Sequence, residues 1–154
     1  MIRKCNFLLF LVLISAVPFV VPQERGGADK VFPPQAVIIA AYRGDAVLLG
    51  EILATNPDKE VRDALGATAL HAAMYQSNIQ VVKLLLDHGF DPNARDTKQN
   101  YTPLHYAVTA NNVDFARLLL QYGANKNARD IDKLTPLDKA RREEKKEMIS
   151  LLYR

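Results

Sequence analysis

Three stretches of the chain carry apolar residues in adjacent pairs, one pair a helical turn after the other. They are Leu48-Leu49 with Ile52-Leu53, Val81-Val82 with Leu85-Leu86, and Phe115-Ala116 with Leu119-Leu120. Pairs at that spacing share one face of an α-helix, so each stretch predicts a short helix with a single buried side. The ends of these helices are also marked. Asn78 and Asn112 are good N-caps, and Gly89 and Gly123 stand where glycine is favoured just past a helix end. Asn56-Pro57 closes the first helix, predicted from Ala46 to Ala54.

A second kind of phrase precedes these helices. Thr102-Pro-Leu-His-Tyr-Ala-Val has two echoes: Thr68-Ala-Leu-His-Ala-Ala lies 34 residues before it, and Thr135-Pro-Leu-Asp-Lys-Ala lies 33 residues after it. A third phrase keeps the same step, since Gly89-Phe-Asp-Pro-Asn-Ala-Arg-Asp returns as Gly123-Ala-Asn-Lys-Asn-Ala-Arg-Asp. Unrelated phrases in register at one period mark a repeat protein. The threonine suits an N-cap, accepting from the first free helical N–H groups. Pro103 and Pro136 fall at the first helical position, where the missing donor costs nothing. Leu70, Leu104 and Leu137 then point inward in a row, and Ala107 is small enough for a neighbouring helix to come close. His71 and His105 fall at the third helical position and can bond back to Thr68 and Thr102, as the acidic residue of a capping box does.

A turn, a helix opened by Thr-Pro-Leu-His, a tight turn, a second helix and a glycine: this unit resembles the ankyrin repeat. The resemblance covers roughly the last three quarters of the chain. It implies an all-α solenoid of stacked helix-turn-helix units with short hairpin turns. The units span about 35–65, 66–99, 100–132 and 133–154, preceded by a leader at 29–34. The first and last are degenerate, as end caps of a stack should be. In the first, Val37 takes the leucine's place and Gly44 the turn. The loop 96–102 is one residue longer than its counterpart at 130–135, so its tip should differ in shape. The resemblance also implies a protein partner held in a concave groove lined by the hairpin tips and the exposed ends of the first helices. Carried over by position, the groove takes Tyr42 and Arg43 from the first unit, and Leu65, Ala67, Tyr75 and Gln76 from the second. The third adds Thr97, Lys98, Tyr101 and Thr109, and the fourth adds Ile131, Leu134 and Arg142. Tyrosines give large, stiff contact area, which singles out Tyr42, Tyr75 and Tyr101.

The N-terminus is of another kind. Met1-Ile-Arg-Lys-Cys-Asn is basic, and Phe7 to Val21 is an uncharged apolar run broken by Pro18. It falls short of the ~20 residues that span a bilayer comfortably and fits a secretory signal cut after Ala28, so that residues 1–28 are removed. An uncleaved anchor over residues 7–21, with Arg3 and Lys4 held inside, is the other reading. Either way the repeats are expected outside the inner membrane, in the periplasm or secreted, touching a membrane only through this segment. Cys5, the only cysteine, lies within it, so the remainder forms no disulfide.

Charge excludes one class of partner. The chain has 20 basic and 17 acidic side chains, but without residues 1–28 these become 17 and 16. The repeats are near neutral and carry no nucleic-acid footprint. The run 139–147 mixes five basic with three acidic residues, the pattern of a solvated cap helix laced with intrahelical pairs. His71 and His105 repeat one place and invite a metal or pH-switch reading, but capping of Thr68 and Thr102 accounts for both. Asp96 and Asp130, beside Arg95 and Arg129, suit turns. No phosphate loop, zinc motif or nucleophile elbow occurs. The expected function is a monomeric, non-enzymatic, cofactor-free binding module. An accessory or inhibitor of one exported enzyme is a variant of that reading. A small hydrolase or metalloprotein is the alternative of another class.

Overall fold

The computed structural model describes Gln23, Glu24, residues 30–76 and residues 78–153. The apolar run at 7–21 and the cut after Ala28 lie outside the described residues. The chain divides into two compact units, Met1–Pro33 and Pro34–Arg154. In the first, strand β1 (Gln23–Glu24) pairs antiparallel with β2 (Lys30–Val31).

The second unit is built from helix pairs. Among the described residues it holds α1 (Ala36–Arg43), α2 (Ala46–Ala54), α3 (Ala69–Ala73), α4 (Ile79–Asp87), α5 (Pro103–Thr109), α6 (Val113–Gln121), α7 (Pro136–Arg142) and α8 (Lys146–Tyr153). The odd-numbered helices stack on one another in order, and so do the even-numbered ones, giving an inner and an outer row. Leu70 and Leu104 are fully buried in the inner row, and Leu49, Leu85 and Leu119 in the outer. Leu137, in the last unit, is only half-buried. Of the paired apolar positions on the outer helices, Leu48 and Leu120 are also half-buried and the rest are in the core.

The caps act as the residue types dictate. Asp45, Asn78 and Asn112 accept from helical N–H groups at the starts of α2, α4 and α6. The chain turns left-handed just before α6, at Asn111 (φ 54°). Gly44, Gly89 and Gly123 take the same conformation at the inter-helix turn and past α4 and α6. At α3 and α5 the histidine Nδ1 lies 2.9 Å from the threonine hydroxyl, and accepts the threonine N–H at 3.1 and 3.2 Å. At α7, Asp138 does the same for Thr135.

The hairpin tips share a plan that absorbs a length difference. Asp63 and Asp130 each exchange two backbone bonds across the turn, with Ala67 and Gly66 in one case and Leu134 and Lys133 in the other. In the longer loop Asp96 N–H reaches Tyr101 O at 2.9 Å. The left-handed residue always stands two before the N-cap threonine: Gly66 at φ 71°, Asn100 at 58° and Lys133 at 63°. The additional residue is therefore taken up ahead of it, and the tip differs as expected. One carboxylate oxygen of each aspartate accepts two backbone N–H groups of its own turn.

The arginines before those aspartates tie the tips together. Arg62 Nη1 donates to Gly66 O at 2.9 Å and to Arg95 O in the next hairpin at 2.6 Å. Arg95 Nη1 repeats the move onto Asn100 O at 3.2 Å and Arg129 O at 2.6 Å, and Arg129 ends the series on Lys133 O. Turn geometry accounts for the aspartates, but the arginines are inter-repeat cross-links.

The charged run 139–147 departs from expectation. Lys139 and Lys145 are not solvated; each side chain is only 12% exposed. Lys139 Nζ lies 3.0 Å from the buried Asp130 carboxylate and 4.6 Å from the centre of the Tyr101 ring. Lys145 Nζ donates to Val108 O at 2.5 Å and Thr109 O at 2.8 Å, at the end of α5. The mixture of charges concealed the two that face inward.

A candidate protein-interaction surface

The expected groove residues fall into three groups. Tyr42 lies in the last turn of α1 and Tyr75 two residues past the end of α3, and their rings meet at 5.4 Å with a 45° tilt. Tyr75 is 54% exposed. Its phenol is pushed up by burial of its inner edge first, then by Tyr42 and the carboxylates of Asp63 and Asp96. Arg43 and Gln76, next to them, are exposed. A second group sits on the tips: Leu65 is 42% exposed and Ile131 66% exposed, and Thr97 and Lys98 are exposed beside them. Large apolar side chains held in water at a turn, with no core to enter, form a surface suited to contact.

The third group does structural work as well. Tyr101 is half-buried, stacked on His105 at 5.3 Å and 13°, with the edge of Tyr106 at 5.7 Å and Lys139 over its face. Thr109 donates its hydroxyl to His105 O within α5, and Ala67 is buried. Leu134 and Arg142, with Lys139 and Glu143, line a recess of about 310 Å³. The structure thus brings Tyr42 to Tyr75 and Leu134 to Arg142, while Tyr101 belongs mainly to the repeat's own packing.

The electrostatics of the inner row centre on buried pairs that sequence reasoning missed. Tyr106 donates its hydroxyl to Asp96 Oδ2 at 2.8 Å. Burial, followed by that carboxylate, drives the phenol far above its ordinary range. One repeat later Lys139 takes the place of Tyr106, and Asp130 Oδ2 accepts no ordinary hydrogen bond; its partner is the ammonium. Burial alone would raise the Asp130 carboxyl, but Lys139 and the turn N–H groups hold it below its usual value. The aligned positions 106 and 139, each facing a turn aspartate, were the available signal.

His71 and His105 have both ring nitrogens occupied. Nδ1 accepts a backbone N–H, so it carries no proton, and Nε2 is left to donate to Tyr101 O at 3.1 Å or Leu134 O at 3.3 Å. Burial leads in lowering both pKa values. His88, outside the pair, meets Leu84 O at the end of α4. Among the described residues no three His, Cys, Asp or Glu side chains gather to hold a metal. No helix there is long and apolar enough to cross a membrane.

Known proteins supply the comparison. A family model described as ankyrin repeats (3 copies) matches residues 37–130 and 96–154. The potassium channel AKT3 of Oryza sativa subsp. japonica is 42% identical over 59 residues, 38% of this chain and 6% of the channel. The 2-5A-dependent ribonuclease of Mus musculus is 36% identical over 69 residues, 44% of this chain and 9% of that protein. Zygote-specific protein 3 of Chlamydomonas reinhardtii is 42% identical over 60 residues, 39% of this chain and 16% of that protein. The aligned part is thus a small fraction of each relative. With its period, capping boxes and stacked helix pairs, the chain belongs to the ankyrin-repeat family, whose repeats are in general non-catalytic protein-interaction modules.

Proposed function

We propose that this chain binds a protein partner, as a monomer and without catalysis, along the face formed by its hairpin tips and the ends of its inner helices. The observation that carries the reading is the row of large side chains on that face: Leu65, Tyr75 and Ile131 are 42%, 54% and 66% exposed. Tyrosine is among the residues enriched at binding hot spots. The near-neutral repeats argue for a protein over a nucleic acid.

The test is capture on the immobilised chain followed by identification of what is retained. Tyr75→Ala combined with Ile131→Ala should weaken capture of that protein by about tenfold or more with the helical circular dichroism unchanged. Retained capture would move the interface elsewhere. Tyr101 is a poor choice for this test, because its loss also disturbs His105 and Lys139.

The same proposal places the repeats outside the inner membrane, carried there by the apolar run 7–21 behind Arg3 and Lys4. N-terminal sequencing of material recovered from the periplasm distinguishes a cut after Ala28 from a retained anchor. Full-length protein in the cytosolic fraction would refute both.

A further inference from the structure

The near-neutral balance of the repeats conceals a gradient. Counted by unit, the formal charge is −2 over 35–65, zero over 66–99 and over 100–132, and +3 over 133–154. The basic end also carries the recess lined by Leu134, Lys139, Arg142 and Glu143. Three of these are charged, and two of the three are already committed. Lys139 faces the Asp130 carboxylate and the Tyr101 ring, and the Glu143 carboxylate lies 2.5 Å from the Lys145 ammonium. Arg142 is different. It ends α7 and is exposed, and among the described residues its guanidinium has no hydrogen bond or ion pair. Counted from the N-cap of each inner helix, it holds the place that Tyr42, Tyr75 and Thr109 hold in the other repeats, so it belongs to the same face.

We infer that this recess seats an acidic side chain, aspartate or glutamate, of the bound protein, with Arg142 as its anchor. A guanidinium offers two parallel N–H donors, the fork that fits a carboxylate. Leu134 supplies apolar lining for the methylenes that carry the carboxylate, and about 310 Å³ leaves room for such a side chain. The positive end repeat draws an acidic segment to this place and opposes a basic one. A nucleic-acid backbone fits less well, because it asks for a row of free cations, and the recess offers one. This rests on the interaction reading above and adds the chemistry of what is recognised and its place along the stack.

The probe is a fluorescein-labelled octaglutamate peptide, titrated by anisotropy against the full chain at low salt, with octalysine as the control. Arg142→Gln should weaken octaglutamate binding by about tenfold with the melting temperature unchanged. Arg141→Gln removes the same charge from the exposed neighbour outside the recess, and should weaken binding by less than about twofold. Equal losses in the two variants would mean attraction by the end repeat's field without a seat, and would overturn the inference. Failure of the unaltered chain to bind octaglutamate would do the same. So would displacement by inorganic phosphate beyond that by chloride at equal ionic strength, or tighter binding of an oligothymidylate of equal charge. The capture experiment is read at Tyr75 and Ile131, so it stands or falls separately.

Discussion

His71 and His105 show how a single protonation state is built into a repeat. Each ring accepts at Nδ1 and faces a carbonyl at Nε2, so it is bound as the neutral form. Burial lowers both pKa values below the ordinary 6.5. The unfolded chain therefore takes up these protons before the fold does. Their contribution is complete above about pH 6.5 and declines as the pH falls below it, towards the lowered folded values. Urea melts at pH 7 and pH 5 should show stability falling with pH, and the slope should shrink in the double variant His71→Gln, His105→Gln. An unchanged slope would mean that other groups carry it. A second residue-scale constraint sits at Gly66. A Cβ there would lie 2.2 Å from the Thr97 hydroxyl of the next tip, and the residue is left-handed besides. Gly66→Ala should cost more than the ~1–2 kcal/mol of the backbone strain alone, read by thermal melting, and Thr97→Gly should recover the excess. Asn100 and Lys133 tolerate the same conformation, so the steric contact is what excludes a side chain at 66.

At the scale of the element, the outer helices show what their sequence displayed and what it hid. The apolar pairs and the asparagine caps were legible because both are local: a helix face and a first turn depend on residues three or four apart. Lys145 was not legible in that way. Asp45, Asn112 and Lys145 each donate backbone N–H to the alanine five places back, Ala40, Ala107 and Ala140, so Lys145 occupies the cap position of α8. Lysine has no acceptor and cannot cap. It reaches across to the last carbonyls of α5 instead, as Asn78 Nδ2 reaches Gly44 O at 2.9 Å between the first two repeats. Hydrogen bonds from a charged donor at a poorly exposed site contribute about 1.5–3 kcal/mol. Lys145→Ala should lose an amount of that order in chemical denaturation, and Lys146→Ala, exposed one residue on, less than about 0.5 kcal/mol. Equal losses would remove the distinction. Leu104, fully buried in α5, sets the upper scale: Leu104→Ala should cost ~2–5 kcal/mol, enough to melt a short stack.

Over the whole repeat unit, stability is the sum of helix pairs that cannot stand alone and the interfaces that join them. The period announced that arrangement from sequence, since any chain that recurs with Thr, Leu and Gly in fixed places must bury each unit against the next. What period could not announce is which polar groups cross the interfaces. The recurring Asn-Ala-Arg-Asp phrase looked like turn chemistry, and for the aspartate it is. The arginine's partner lies in the following hairpin, a distance in sequence that only folding closes. Arg95 is the middle rung, donating to Arg129 O while its own carbonyl accepts from Arg62. Its loss should act on coupling more than on either half. Arg95→Ala should cost about 1–3 kcal/mol and, by hydrogen exchange, let α1 to α4 open independently of α5 to α8. Arg117→Ala, exposed on α6, should leave exchange cooperative. If Arg95→Ala lowers protection evenly along all eight helices, the apolar seam alone couples the repeats and the arginine series serves only its own turns.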